Sequence, residues 1–533
     1  MSATHLALCL TLSATLLAAP GDLAPRGSTA GVRAHVPPAP GVPEFALFGW
    51  VSPPADSTDL NRMTELAGTG MNLALPAWDD SGKTADNLHR LDLAAATGMK
   101  CLIWERRFER FLTLDVKTPA GQALLDSIVA TYRSHPAFAG YYLGDEPPVA
   151  EFPLLADLHA QLRIHDPDHP AWNNLIGPSS FPTHAAWEGT TRDYLDQTRA
   201  AVLCDDQYDL TDTGDRMRFV ENAAALGALS RERGIPFWAI VQLVAHAFFR
   251  ELEDGELRWQ VSTLLAYGAR GVGYFTYWTP APDTVWNWQP AIIGWDGVRT
   301  HWYDTVARFN ARVIQAGNAL ARLDWVAAEH AGSVPPSGVA FRPDAWLTEV
   351  RGRAVLGKFA DSTGTRFLVV ANSDSSNGQW IWLTFPFAAV VDELAADGSW
   401  APLFVPGSVP SRGLSDPPRL GLYFDPGDYT VLRLRGGMSL AEGGPGPVLR
   451  VAPNPADGAA LFVTARVGAR AKLAVVDAAG RRIWTRTLAS GSTAITWRGE
   501  RDLGGPAPPG VYFVRIEDER GATLRRFSWL GRP

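Results

Sequence analysis

The chain is poor in the residues that most often announce a function. Three of its 533 residues are cysteine. Cys9 lies in an apolar leader, and Cys101 and Cys204 sit inside apolar strand-like runs, so buried thiols are expected rather than a disulfide framework or a metal site. Basic charge is not in excess: 48 Lys and Arg stand against 56 Asp and Glu, a net charge of −8, which gives no electrostatic footing for nucleic acid. Long apolar runs are also scarce. The one at Leu6 to Ala19 is too short to cross a bilayer and reads as a secretory signal peptide over 1–20, with no membrane span left after its removal. Cys9 falls inside that run rather than behind a lipobox-like tetrad, which disfavours lipidation. No Gly-rich phosphate loop follows the first strand-like run, which argues against a doubly wound dinucleotide fold, and no cofactor is expected. Tryptophan, by contrast, is abundant, at 20 residues. Its flat apolar face and N–H donor suit sugar stacking as well as core packing.

Residues 21–42, rich in Pro, Gly and Ala, read as a linker. Eight apolar strand-like runs then follow: Glu44 to Val51, Gly70 to Trp78, Met99 to Glu105, Phe138 to Glu146, Pro170 to Ile176, Ala200 to Tyr208, Pro236 to Val244 and Gly271 to Trp278. Helix-patterned segments alternate with them, among them "PLLADLHAQLRIH", "MRFVENAAALGALSRERG" and "ELRWQVSTLLAYGARG", the last two closed by glycine at the C-cap. This rhythm predicts an α/β fold, a (β/α)8 TIM barrel over 43–324. Short alternating strands separated by turns then predict a β-sandwich over 325–437. A Gly/Pro-rich linker at 438–448 precedes a second small sandwich at 449–533.

In a (β/α)8 barrel the loops after the strands converge on one rim, where the chemistry sits. Trp50 ends the first run, Trp104 and Glu105 the third, and Asp145 and Glu146 the fourth. The fifth carries Asn173 and Asn174, the sixth Asp205, Asp206 and Tyr208, the seventh Gln242 with His246 beyond it, and the eighth Tyr277 and Trp278. The rim is acidic, amide-bearing and aromatic. Paired carboxylates across an aromatic cleft are the equipment of glycoside hydrolysis. A second carboxylate crowded beside an acid raises its pKa, so Asp145 can tune Glu146. Adjacent strand residues point to opposite faces, however, so one of the two is expected to face the axis. Asp206 shares a face with Cys204 and Tyr208, and Asp205 takes the other. The acidic stretch "DDQYDLTDTGD" lacks the regular D-x-D-x-D-G spacing of a calcium loop.

"GYYLGDEPP" resembles the Asn-Glu-Pro signature of glycoside hydrolase clan A, and "YFTYW" resembles that clan's sugar-stacking Trp strand; the barrel with its sandwich is distantly similar to family 42 β-galactosidase-type enzymes. The resemblance implies Glu146 as general acid/base, with Asp145 in place of the usual Asn, Trp278 as an aromatic platform, and an oligo- or polysaccharide substrate. It also implies a nucleophilic Glu at the end of the seventh strand, where this chain has Gln242, and an amide cannot form the glycosyl ester. Three alternatives stand. Asp206 or Asp205 is the partner of Glu146, with Asp206 preferred; or Glu105 is; or the barrel binds sugar at the surface without cleaving it. Trp50, Trp104, Glu105, Asp145, Asn174, Tyr208, Gln242 and Trp278 are the expected substrate-binding residues.

In the last block the order PNP, VxDxxGRxI, TW and PPGVYFVRI resembles the FlgD-like immunoglobulin-fold domain that ends many secreted bacterial proteins using type IX or similar secretion. The resemblance implies an extracellular or cell-surface location and contact with secretion machinery through this domain.

Overall fold

The computed structural model describes residues 36–531 apart from 78–80, 216–217, 387–389, 404–418, 436–447, 453–455, 457, 469–470, 478–479 and 520. The expected signal peptide at 1–20, the first linker as far as residue 35 and the second linker up to residue 447 lie outside the described residues. All eight expected runs contribute a strand. β1 (Ala46–Trp50), β2 (Leu73–Ala74), β3 (Lys100–Ile103), β4 (Phe138–Asp145), β5 (Ala171–Ile176), β6 (Leu203–Gln207), β7 (Phe237–Gln242) and β8 (Gly271–Phe275) pair in parallel, in chain order, and close into a barrel. Every residue of β7, sequence FWAIVQ, is buried, as befits a parallel strand covered on both faces.

Helices α1 (Leu60–Gly68), α2 (Thr84–Ala96), α3 (Pro119–Tyr132), α4 (Phe152–His165), α5 (His184–Thr198), α6 (Phe219–Arg233), α7 (Asp254–Ala266) and α8 (His301–Ala321) surround the barrel. Their limits follow local chemistry. Thr118 caps α3 by accepting from the Gly121 N–H, with Pro119 in the first turn. Gly234 closes α6 in the left-handed conformation, φ 67°. The C-cap of α7 is Tyr267, and the glycine that closes the expected segment, Gly271, is instead the first residue of β8.

β2 is shorter than the run that predicts it. The Asn72 side chain takes over part of the ladder: its Oδ1 accepts from the Leu47 N–H at 2.9 Å and its Nδ2 donates to the Phe45 carbonyl at 2.9 Å. Pro76, which has no N–H to give, follows soon after.

An aromatic plug fills the barrel. Phe48, Trp172 and Trp238 lie 5.7 to 6.2 Å apart, ring centre to ring centre. Small residues face them: a Cβ on Gly273 would come within 2.3 Å of the Phe48 ring, and one on Gly271 within 2.5 Å of Trp238. Much of the tryptophan is thus structural.

Strands β9 (Asp324–Ala331), β10 (Glu349–Arg351), β11 (Ala354–Ala360), β12 (Arg366–Asn372), β13 (Gln379–Thr384), β14 (Val390–Leu394), β15 (Trp400–Leu403), β16 (Arg419–Phe424) and β17 (Tyr429–Arg435) form two antiparallel sheets, β10-β13-β16 and β15-β14-β17-β12-β11-β9. Val355, Phe359, Phe367, Val369, Tyr429 and Val431 join the barrel's own core cluster, so barrel and sandwich share one apolar interior. Arg312 of α8 donates through Nη1 to both carboxylate oxygens of Asp428, at 2.9 and 3.1 Å, and through Nη2 to the Tyr429 carbonyl. The last block forms two further antiparallel sheets, from β18 (Val448–Ala452) through β24 (Gly521–Trp529), around a separate core that includes Trp497, Phe527 and Trp529.

Candidate active site

β4 loses its alternation as it ends. Its register against β5 shifts between Tyr142 and Gly144, Gly144 has φ 143°, and Glu146 lies in the left-handed region at φ 43°. That conformation costs an ordinary residue roughly 1–2 kcal/mol, and such strain collects where the surroundings hold a functional group in place. The Glu146 N–H donates to the Asn174 carbonyl at 2.8 Å, and the Asn173 side chain donates to the Gly144 carbonyl at 3.1 Å. Asp145 and Glu146 therefore both reach the same cluster. This corrects the expectation that strand alternation would turn one of them away. Glu146 caps no helix: α4 opens at Phe152 without a side-chain cap.

On β6 the alternation holds. Asp205 is fully buried and accepts from Asn222 of α6 at 3.0 and 3.3 Å, on the helix side. Asp206 points the other way, meeting the Glu146 carboxyl, with Tyr208 and Asn174 supporting its charged form. Its Oδ1 is buried without a well-formed hydrogen bond. Asn174 donates to Asp145 Oδ1 at 3.1 Å and tethers the third carboxyl.

Asp145, Glu146 and Asp206 each keep some accessible surface, so they lie at the strand-end mouth of the barrel within reach of solvent rather than in the closed core. Desolvation, and then the neighbouring carboxylates, push Glu146 up furthest, to about 9. Desolvation and Asp206 raise Asp145 to about 7, and desolvation raises Asp206 to about 6 against the opposing pull of Tyr208 and Asn174. The cluster holds a proton at neutral pH, and Glu146 holds it most firmly.

Two groups of aromatic rings approach the cluster, through Tyr142 and Tyr208. On one side Trp50 meets Tyr142 at 5.8 Å, and Tyr142 meets Trp172 at 5.1 Å. Tyr142 is 6% exposed, and its hydroxyl, close to all three carboxyls, has no hydrogen-bond partner. On the other side Tyr208 stacks on Phe275 at 5.2 Å and approaches His246, which stacks on Trp288 at 4.8 Å, with Trp286 at 5.7 Å beyond. Burial drives His246 down to about 4, so it is neutral. Tyr142, Trp172, Trp286 and Trp288 were not singled out from sequence. The "WNW" spacing in the β8–α8 connection is the signal that would have found the last two, because that connection belongs to the rim.

Other expected residues sit elsewhere or are otherwise engaged. Gln242 is fully buried, and its amide is consumed by backbone: Oε1 accepts from the Leu210 N–H, and Nε2 donates to the carbonyls of Leu210 and Arg250. Glu105 is fully buried in a closed network with Arg107, Tyr132 and Thr84, which removes it as a partner for Glu146. Trp104 packs over Gly82. Trp278 is 5% exposed with the Arg62 guanidinium over its ring at 5.1 Å, so it offers no open platform.

No family model matches the chain, and no curated protein matches it. Solved structures of similar shape include a family 5 glycoside hydrolase from Bacteroides vulgatus, at 13% identity and TM-score 0.46, covering 74% of this chain and 89% of that one. A family 27 β-L-arabinopyranosidase from Geobacillus stearothermophilus is similar at 10% identity and TM-score 0.42, covering 77% and 98%. A β-galactosidase from the psychrophilic Marinomonas ef1 is similar at 12% identity and TM-score 0.40, covering 52% and 62%. The chain spans about three fifths of the length of the β-galactosidases it resembles. The likeness is one of fold; the chemistry rests on the carboxyl cluster.

Proposed function

We propose that the barrel hydrolyses a glycosidic bond in an oligo- or polysaccharide, with Glu146 as general acid and Asp206 as its partner. The observation that carries this reading is the meeting of the two carboxyls beside aromatic rings on the strand-end rim. Glu146, protonated at neutral pH, gives its proton to the glycosidic oxygen as the bond to the anomeric carbon breaks and its electron pair leaves with that oxygen. Asp206, the most readily ionised of the three, supplies negative charge to the oxocarbenium-like centre or takes the proton of the attacking water. A carboxyl pair that acts as acid and nucleophile stands about 5–5.5 Å apart, and one that holds a water about 6.5–9.5 Å apart, whereas these two carboxyls interact directly. A sugar ring has to enter between them, replacing their contact with its own hydroxyls.

A second reading is sugar binding without cleavage, favoured by Gln242, which is locked into backbone hydrogen bonds where a clan A nucleophile would stand. Incubating the full chain with a panel of glycans and following both retention and new reducing ends separates the two. New reducing ends that vanish in Glu146→Gln support hydrolysis; retention with no new ends in any member of the panel supports binding alone. The apolar leader and the FlgD-like motif order support export of the chain to the cell surface or beyond, and recovery of the protein only from the cytosol of an expressing bacterium would overturn that part.

A further inference from the structure

The first sandwich carries an aromatic surface far from any core role. On the outer face of β10-β13-β16, Trp380 is 56% exposed, Trp382 39% and Tyr423 57%, whereas the alternate residues Ile381 and Leu383 are buried in the sandwich core. The indoles of Trp380 and Trp382 are near-parallel, 27° apart with centres 5.9 Å apart, and Tyr423 flanks Trp380 at 5.8 Å. Antiparallel pairing places Tyr423 opposite Trp380, and Gly421 opposite Trp382.

Two glycines leave room for the Trp382 and Tyr423 rings. A Cβ on Gly421 would come within 2.6 Å of the Trp382 ring, and one on Gly378 within 2.3 Å of the Tyr423 hydroxyl. Side chains at those positions would displace both rings. With glycine there, the two near-parallel indoles and the Tyr423 ring, turned 67° from Trp380, together form one exposed aromatic patch. Exposed aromatic area of this kind is a liability unless something uses it.

The rim of this surface is cationic. Arg419 sits over the Trp382 ring at 5.5 Å, and Arg351 is the cross-strand neighbour of Trp382 on the opposite side. Both guanidiniums share one carboxylate, Glu349, at 3.1 and 2.7 Å. Two cations on one anion leave positive charge beside the platform, and guanidinium forks match carboxylates.

We propose that this face binds a polysaccharide carrying carboxylate groups, a uronate-bearing glycan, with the C–H faces of its rings on Trp380, Trp382 and Tyr423 and its carboxylates on Arg351 and Arg419. Exposed indole and phenol rings beside two guanidiniums match the C–H faces and the carboxylates that alternate along a uronate chain. The site is separate from the barrel's carboxyl cluster and independent of whether that cluster cleaves anything.

The test uses the full chain with Glu146→Gln, so that cleavage cannot remove the ligand. Affinity electrophoresis in gels containing polygalacturonate, alginate or a neutral galactan is compared for that protein, Trp380→Ala/Trp382→Ala and Arg351→Gln/Arg419→Gln. Retardation by the acidic gels, lost in the Trp pair and at least tenfold weaker in the Arg pair, is the expected result. Equal retardation by the neutral glycan with no effect of the Arg pair overturns the acidic assignment. No retardation by any gel overturns the site, as does size-exclusion evidence of a dimer that the Trp pair dissolves, which would assign the face to a second copy. Circular dichroism of each variant verifies folding; if the Trp pair is misfolded, Gly421→Val, which lifts the Trp382 ring and leaves the indoles in place, is expected to give the same loss, and unchanged retardation in it overturns the platform.

Discussion

Glu146, the residue after β4, and Asp206 on β6 meet carboxyl to carboxyl. Two acids in contact cannot both ionise at ordinary cost, so one proton is retained between them. Asp145 adds a third carboxyl to the same cluster.

Catalysis by this pair needs Glu146 protonated and Asp206 ionised. Asp206, raised to about 6, sets an acid limb, and Glu146, raised to about 9, sets an alkaline limb. The expected rate profile is a bell with its plateau between them. Glu146→Gln or Asp206→Asn should each lower kcat by about 10²–10⁴-fold, and Asp206→Asn should also erase the acid limb. Initial rates on any cleaved glycoside, taken at unit pH steps, check this; a profile whose acid limb survives in Asp206→Asn would remove that residue from the pair.

The same carboxyls make stability depend on pH. Folding raises the pKa of Glu146 above its unfolded value, so the folded state binds more protons through the interval between the two. Its contribution to stability is complete below the unfolded value, near 4.5, and is lost as pH rises through about 9. Glu146→Gln removes that penalty and should be more stable than wild type at pH 8 by about 1–3 kcal/mol, with the difference closing toward pH 4. Urea midpoints at the two pH values measure it, and a variant less stable than wild type at pH 8 contradicts the burial argument.

The sequence made the barrel legible because strand-like and helical runs alternate eight times, and each strand run is apolar enough to be covered on both faces. Alternation also separated the two faces of β6, with Asp206 and Tyr208 on one side and Asp205 on the other; which side faces inward depends on a long-range partner, Asn222 of α6 against Asp205, and is visible only in the structure. Alternation failed on β4 for a local reason, since Gly144 and the left-handed Glu146 break the pleat and bring two adjacent acids together. Residue type alone misplaced the tryptophans. Exposure depends on what lies around each ring: Trp278, with Arg62 over it, is 5% exposed, whereas Trp380 and Trp382, in a strand that looked like ordinary sandwich core, are 56% and 39% exposed, Trp382 with Gly421 opposite it. Long-range partners of this kind leave no periodic trace.

Asp205 and Asp206 should separate cleanly on mutation. Asp205 lies on the helix side of β6 and is bonded to Asn222 of α6. Asn222→Leu leaves a buried carboxyl without that partner and should cost about 1–3 kcal/mol of stability, while kcat per folded molecule stays within about twofold. Thermal denaturation together with active-site-normalised rates tests this; a loss of rate comparable to that of Asp206→Asn would mean that Asp205 reaches the cluster after all.

Restoring a glutamate at the end of β7 is the obvious experiment for a barrel read as a degenerate clan A enzyme, and the geometry says that it will fail. The Gln242 Nε2 donates to the Leu210 carbonyl at 3.0 Å and the Arg250 carbonyl at 3.1 Å, and its Oε1 accepts from the Leu210 N–H at 3.2 Å. The amide staples the stretch after β6 to the stretch after β7. In Gln242→Glu a carboxylate oxygen faces two carbonyl oxygens in a fully buried position. It has to take up a proton, which keeps one of the two bonds, or break the staple. Either way the expected outcome is a destabilisation of about 1–3 kcal/mol, from a buried acceptor left without a donor, and no gain in hydrolysis. Denaturation midpoints and reducing-end assays on Gln242→Glu decide it: a stable variant with raised activity would show that Gln242 is a vacated nucleophile position and not a structural staple.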